Sequence, residues 1–211
     1  VSRSIRSAVE HFIIHNATTT WKSRGIMEDY HKFLEEKLIP EDMLQKRIAE
    51  LGAEIARDYK DKSLHLVCIL RGGIMFLADL MQHISIPHTI DFMAISSYGT
   101  GARKSDGQVR LTMDLRDPIS GRDVLIVEDI IDSGHTLTSV MRLLALRDPS
   151  SLRVCTLLDK VERREVNVQI DYCGFTIPNA FVFGYGLDLD EYYRGLPFIG
   201  IVNTDEYTPP D

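Results

Sequence analysis

Apolar positions along this chain follow two alternating rhythms. Leu44, Ile48, Leu51 and Ile55 recur at helical spacing behind Pro40-Glu41-Asp42, a favourable first helical turn. Residues 64–70 are almost continuously apolar, as in a buried strand. Residues 74–84 read as a helix, 88–96 and 109–115 as strands, and 97–108 as a polar loop between them. Val124 to Val127 form another short buried strand, and residues 138–146 an amphipathic helix. A strand over 152–158 and shorter strands near 170–175, 181–185 and 199–202 complete the series. Strands alternating with helices predict an α/β fold, a mainly parallel twisted sheet flanked by helices. In such sheets ligands sit beyond the carboxyl ends of the strands. No internal repeat and no inter-domain linker interrupts the pattern.

The loops at those ends carry the chemistry. After Val127 come Glu128, Asp129, Ile130, Ile131, Asp132, Ser133, Gly134, His135, Thr136 and Leu137. A strand whose loop opens a helix is a ready anion site, because the first turn has unpaired N–H groups and the positive end of the dipole. Gly134 permits close backbone approach, and Ser133 and Thr136 add hydroxyl donors. The loop has no Lys, so it is not a triphosphate loop of the Gly-x-x-x-x-Gly-Lys type. Glu128 and Asp129 would repel a bare phosphate, but they suit ribose hydroxyls or a divalent cation. Phosphate, vicinal diol and metal together describe a phosphorylated ribose.

Four further segments stand at predicted strand ends. Leu70-Arg71-Gly72-Gly73 is a glycine-rich turn from strand to helix. The segment from Ser97 and Tyr98 to Gly107 holds three glycines and two cations, a composition suited to a mobile lid or to a plain long hairpin connection. Lys160 closes Leu157-Leu158-Asp159-Lys160; a solvated charge is the ordinary fate of such a Lys. Phe181 and Val182 begin a run through Gly184-Tyr185-Gly186-Leu187-Asp188 to Arg194, and a lone Phe is more often core than a base platform.

Taken together, these segments resemble the type I phosphoribosyltransferases, and the hypoxanthine-guanine branch in particular. The resemblance runs over roughly residues 38–208 and rests on five short motifs in the right order. It implies the fold of that family, with a small hood and a mobile lid loop over the parallel sheet. It also implies transfer of a 5-phosphoribosyl group from phosphoribosyl pyrophosphate (PRPP) to N9 of hypoxanthine or guanine, with Mg2+ as cofactor. Residue by residue, the implied ribose and phosphate site is Glu128, Asp129, Asp132, Ser133, Gly134, His135 and Thr136, and Asp132 is the implied base for the N7 proton. Arg71, Gly72 and Arg194 would take pyrophosphate, with a cis peptide expected at Leu70–Arg71. Lys160 would donate to the purine 6-oxo group, which disfavours adenine. Phe181 would stack on the base, the Val182 carbonyl would face its edge, and Ile130 and Asp188 would complete the purine site. Ser97 and Tyr98 would belong to the lid. Glu128, Asp129 and Asp188 are the implied metal ligands. His135 departs from relatives that carry Lys there, and a charge at that position would depend on pH.

Composition trims the alternatives. The chain has 211 residues, enough for one well-buried domain, and a net charge of −7, which disfavours nucleic-acid and anionic-membrane partners. Cys68, Cys155 and Cys173 lie in or beside apolar runs without metal-ligand spacing, as expected of reduced core thiols in the cytoplasm. Residues 1–37 are expected to form a partly disordered N-terminal extension before a domain over 38–211. The first 26 are basic, and Met27 is the expected native start. The expected partners are small molecules and further copies of the chain, in a homodimer or homotetramer. Two rivals stand beside the enzyme reading: a non-catalytic PRPP-binding regulator, and a same-fold enzyme preferring xanthine or a pyrimidine.

Overall fold

The computed structural model describes residues 29–97 and 109–209. The expected extension up to residue 28, and the lid loop from Tyr98 onward, lie outside the described residues. The chain divides into two compact units, Val1–Lys32 and Phe33–Asp211. The described part of the first is the short 3-10 turn Asp29–Lys32.

The second unit is built on two sheets. The larger has the order β4-β3-β2-β5-β6-β7. Its strands are β2 (Leu64–Leu70), β3 (His88–Ser97), β4 (Val109–Met113), β5 (Asp123–Ile131), β6 (Ser151–Asp159) and β7 (Tyr172–Thr176). All neighbours pair in parallel except β3 with the edge strand β4. The alternation of side chains along the strands sends two apolar sets to opposite faces. Leu64, Leu66, Cys68, Leu125, Val127, Cys155 and Leu157 pack against α1 (Glu41–Asp58) and α2 (Gly73–His83). Val67, Ile69, Val124, Ile126 and Val154 pack against Leu137, Val140 and Leu144 of α3 (His135–Ala145). Burial on both faces is why β2 and β5 read as unbroken apolar runs.

The smaller sheet is the expected hood. It is antiparallel, of order β1-β9-β8, with β1 (Leu34–Ile39), β8 (Val182–Phe183) and β9 (Ile199–Val202). Strand β1 was not expected: Leu34-Glu35-Glu36-Lys37-Leu38-Ile39 has charges at three successive positions and no clean alternation. It is held by β9, with Leu34 opposite Val202 and Ile39 opposite Ile199. The folded unit therefore starts at Phe33, ahead of the boundary expected at residue 38, because a distant strand supplies the pairing that local sequence does not announce.

Two boundaries shift where the chemistry lies. β5 continues to Ile131, so Glu128 and Asp129 sit within the strand instead of past its end. Helix α3 begins at His135, three residues before its apolar face becomes visible.

Candidate active site

Strand order reverses between β2 and β5. From β2 the chain crosses to β3 on one side, while β5 leads to β6 on the other. The carboxyl ends of these two neighbours therefore open a crevice, the place where parallel sheets bind ligands. Arg71 and Gly72 leave β2 there, and Asp132 to Thr136 leave β5.

The loop after β5 encloses a cavity of about 140 Å3. Glu128, Ile130, Ile131, Asp132, Ser133, Gly134, Thr136 and Leu137 line it. Gly134 stands at the N-cap of α3 with φ of 89°, a left-handed conformation that favours glycine. Among the described residues no side chain caps this helix, which leaves its first-turn N–H groups suited to an anion. The loop is braced from behind, since the Ser133 carbonyl accepts from the N–H of Glu165 (3.0 Å) and of Val166 (3.2 Å). His135 does not line the cavity; its Nε2 lies 2.9 Å from Glu165 Oε2.

Glu128 and Asp129 form a recessed carboxyl pair. Burial first, and then the neighbouring Asp129, push Glu128 well above the usual carboxylate range. Burial also raises Asp129, against the opposing pull of the Ile130 and Asp129 backbone N–H groups, of Glu128 and of the Arg194 charge. Asp129 rests on the β2 loop so closely that a Cβ at Gly72 would overlap its carboxylate. The Leu70–Arg71 peptide is cis, as the resemblance implied. Cys68, beneath the pair, is a poor nucleophile: burial pushes its thiol up to about 12.

Lys160 and Asp132 meet across neighbouring strand ends. Lys160 is buried, and its Nζ lies 3.5 Å from Asp132 Oδ1. That oxygen is itself buried and accepts no hydrogen bond among the described residues. A buried acceptor without a hydrogen bond costs free energy unless a ligand supplies the donor. Arg164 secures the arrangement from below: it pairs with the buried Asp159 and donates from Nη1 to the Asp132 carbonyl at 3.1 Å. No motif pointed to Arg164 or Glu165, because each acts through partners brought together by the fold.

The hood side supplies the remaining groups. Phe181 is 54% exposed, an unusual position for a large apolar ring and one open to a flat ligand. Val182 is buried in β8, paired with Ile201. Arg194 Nη1 donates to the Gly186 carbonyl at 2.9 Å, and its Nη2 lies 2.8 Å from Asp188 Oδ1. Gly186, at φ of 96°, packs directly on the Gly72 carbonyl, where a Cβ would overlap. The loop after β2 and the hood loop thus touch through glycine backbone. Ser97 ends β3, while Tyr98 lies outside the described residues.

The expected metal carboxylates do not gather into one cage. Among the described residues no three acidic, His or Cys side chains converge as a metal cluster. Asp188 is paired with Arg194, apart from the Glu128–Asp129 pair.

The sequence model of the phosphoribosyl transferase domain matches residues 40–190. The hypoxanthine phosphoribosyltransferase of Salmonella typhimurium is 51% identical over 174 residues, covering 81% of this chain and 97% of the relative. Its Escherichia coli counterpart is 52% identical over 169 residues, covering 79% and 94%. The crystal structure of a Staphylococcus aureus hypoxanthine phosphoribosyltransferase superposes with a TM-score of 0.82 at 44% identity, covering 85% of this chain and 97% of the other. The chain therefore belongs to the phosphoribosyltransferase family, on its hypoxanthine phosphoribosyltransferase branch.

Proposed function

We propose that this chain is a purine-salvage transferase that moves the 5-phosphoribosyl group of PRPP to N9 of hypoxanthine or guanine, giving IMP or GMP and pyrophosphate. One observation carries the reading best: among the described residues Asp132 Oδ1 is buried and accepts no hydrogen bond, beside the Lys160 ammonium at 3.5 Å, on the wall of the cavity after β5.

In this reading the free N–H groups opening α3, with the Ser133 and Thr136 hydroxyls, hold the 5-phosphate. Glu128 and Asp129 accept hydrogen bonds from the ribose 2- and 3-hydroxyls and fix the sugar's orientation. Those hydroxyls also relieve the pair, since a donor favours the charged form of a buried carboxyl. The base lies against Phe181 and Ile130, with the Val182 carbonyl at its edge and Lys160 donating to the 6-oxo group. Asp132 takes or shares the N7 proton while N9 forms its bond to C1, and the C1–O bond to pyrophosphate breaks. Arg71 and Arg194 receive the charge that accumulates on the departing oxygens. Lid closure by the segment carrying Ser97 and Tyr98 would exclude water from the ribosyl centre.

The donor set fits a magnesium ion that arrives with its substrate. Such an ion needs only one or two protein carboxylates and keeps phosphate oxygens and water as its other ligands. Glu128, Asp129 and Asp188 are the candidates to hold it, and when bound it neutralises pyrophosphate charge. Operation in the cytoplasm and assembly as a homodimer or homotetramer belong to the same proposal. Support for the first is that all three cysteines are free, with Cys68 and Cys155 buried. No helix among the described residues is long and apolar enough to cross a membrane.

The test is product formation with PRPP and magnesium, offering hypoxanthine, guanine, xanthine and adenine separately. IMP and GMP with little product from adenine is the expected outcome. PRPP binding without product from any base would replace this reading with a non-catalytic sensor.

A further inference from the structure

Glu191 has no part in the chemistry above, yet it stands among the cations assigned to pyrophosphate. Its Oε2 lies 2.5 Å from Arg71 Nη1 and 3.3 Å from Arg194 Nη2. One carboxylate oxygen thus bridges the two guanidinium groups, one from the β2 loop and one from the hood. The backbone aims it there. Asp190 and Glu191 are consecutive residues with positive φ, 51° and 70°, and the Glu191 N–H donates to Asp188 Oδ2 at 3.0 Å. Two non-glycine residues in the left-handed region make a tight reversal that points the side chain back at the arginines.

The two arginines are held differently. Arg194 is one-quarter exposed and anchored by the Gly186 carbonyl and Asp188. Arg71 is 71% exposed, and Glu191 is 61% exposed. A pair so open to water is weak and exchangeable. Two guanidinium groups joined by one oxyanion form the kind of site that a pyrophosphate oxygen would occupy in its place.

We propose that Glu191 is a displaceable internal anion: it holds Arg71 and Arg194 together when pyrophosphate is absent, yields them to the pyrophosphate of PRPP, and reclaims them as the product leaves. The inference rests on the assignment of Arg71 and Arg194 to pyrophosphate. Its consequence is a competition. Binding of pyrophosphate must break two ion pairs, so removing the carboxylate should tighten binding and slow product release.

The experiment is calorimetric titration of the full chain with inorganic pyrophosphate at saturating magnesium, for the wild type, Glu191→Gln and Arg71→Ala. Glu191→Gln is expected to bind about two- to fivefold more tightly, the range that an exposed ion pair supplies. Its pyrophosphate release in stopped flow should slow by a similar factor, with the KM for the base unchanged. Tightening separates this role from a merely structural one, since a disordered loop would bind more weakly. Equal or weaker binding by Glu191→Gln, while Arg71→Ala loses affinity, overturns the displacement and leaves the site assignment standing. Unchanged affinity in Arg71→Ala overturns the assignment of Arg71 and the inference with it.

Discussion

In the proposed reaction one atom, Asp132 Oδ1, concentrates the chemistry. It is buried, has no hydrogen-bond donor among the described residues and lies beside the buried ammonium of Lys160. Asp132→Asn keeps the size of the side chain but replaces its anionic base with a neutral amide. The expected result is a kcat lower by about 10²- to 10⁴-fold, with PRPP binding retained, in a steady-state assay beside a titration with PRPP. A variant that keeps most of its rate would remove Asp132 from the role of base. At this scale the sequence was largely legible, because Asp132, Lys160 and Arg194 fall in short motifs whose order is informative. Arg164, Glu165 and Glu191 were not legible. They are ordinary charged residues until the fold places them against Asp132, His135 and Arg71.

The unit of strand, loop and helix from Asp123 to Ala145 makes the cavity proposed for phosphate, and its geometry turns on Gly134. With φ of 89° and the Val166 carbonyl 3.2 Å from a built Cβ, any side chain there meets both strain and crowding. Gly134→Ala is expected to cost at least about 1–2 kcal/mol of stability, the ordinary penalty for a left-handed non-glycine residue. Chemical denaturation measures it, and PRPP affinity should fall in the same protein because the loop must move. An unchanged midpoint with unchanged affinity would show the turn to be tolerant. The periodicity located both the strand and the helix but misplaced their junction. Hydrophobic pattern reports which residues face the core; polar residues that complete a strand or open a helix add nothing to it. Strand β1 escaped for a related reason, since its partner lies more than 150 positions away in sequence and half of its own residues are charged.

For the whole molecule, two sets of titratable groups make stability depend on pH in opposite directions. Glu128 and Asp129 have folded pKa values above their ordinary ones of 4.5 and 3.8. The fold therefore favours their protonated forms. Their contribution is fully present below the ordinary values and is lost as pH rises through the raised ones. His65 runs the other way. Burial first, and then the Arg122 charge, lower it from 6.5, against the opposing pull of Asp91 and Asp117. Its neutral ring is favoured in the fold, so its contribution is present above about 6.5 and is lost as pH falls below that value. Glu128→Gln is accordingly expected to raise the melting temperature of the free protein at pH 7, with little change at pH 4, while weakening PRPP binding. His65→Leu should flatten the loss of stability between pH 6.5 and 5; Thr89, which meets His65 Nδ1, keeps Arg122 as a partner. Melting curves at these pH values check both, and a Glu128→Gln protein less stable at pH 7 would contradict the first. A recessed carboxyl pair that weakens the free fold, with the ribose diol as its proposed ligand, is a common exchange of stability for function.

By itself the sequence determined the alternation of strands and helices, the buried strands of the central sheet, and the order of the loops that bear Arg71, Asp132, Lys160 and Arg194. Those features are local: burial on one or two faces leaves a period in the chain, and a phosphate loop needs its particular small and polar residues in succession. Only the tertiary structure decided that β2 and β5 are neighbours, so that Gly72 meets Asp129 and Gly186 meets Gly72. It likewise decided that β1 belongs to the hood and that Glu191 reaches two arginines from different loops. The physical reason is that pairing across the sheet and ion pairing across loops depend on distance in space, which no period along the chain records.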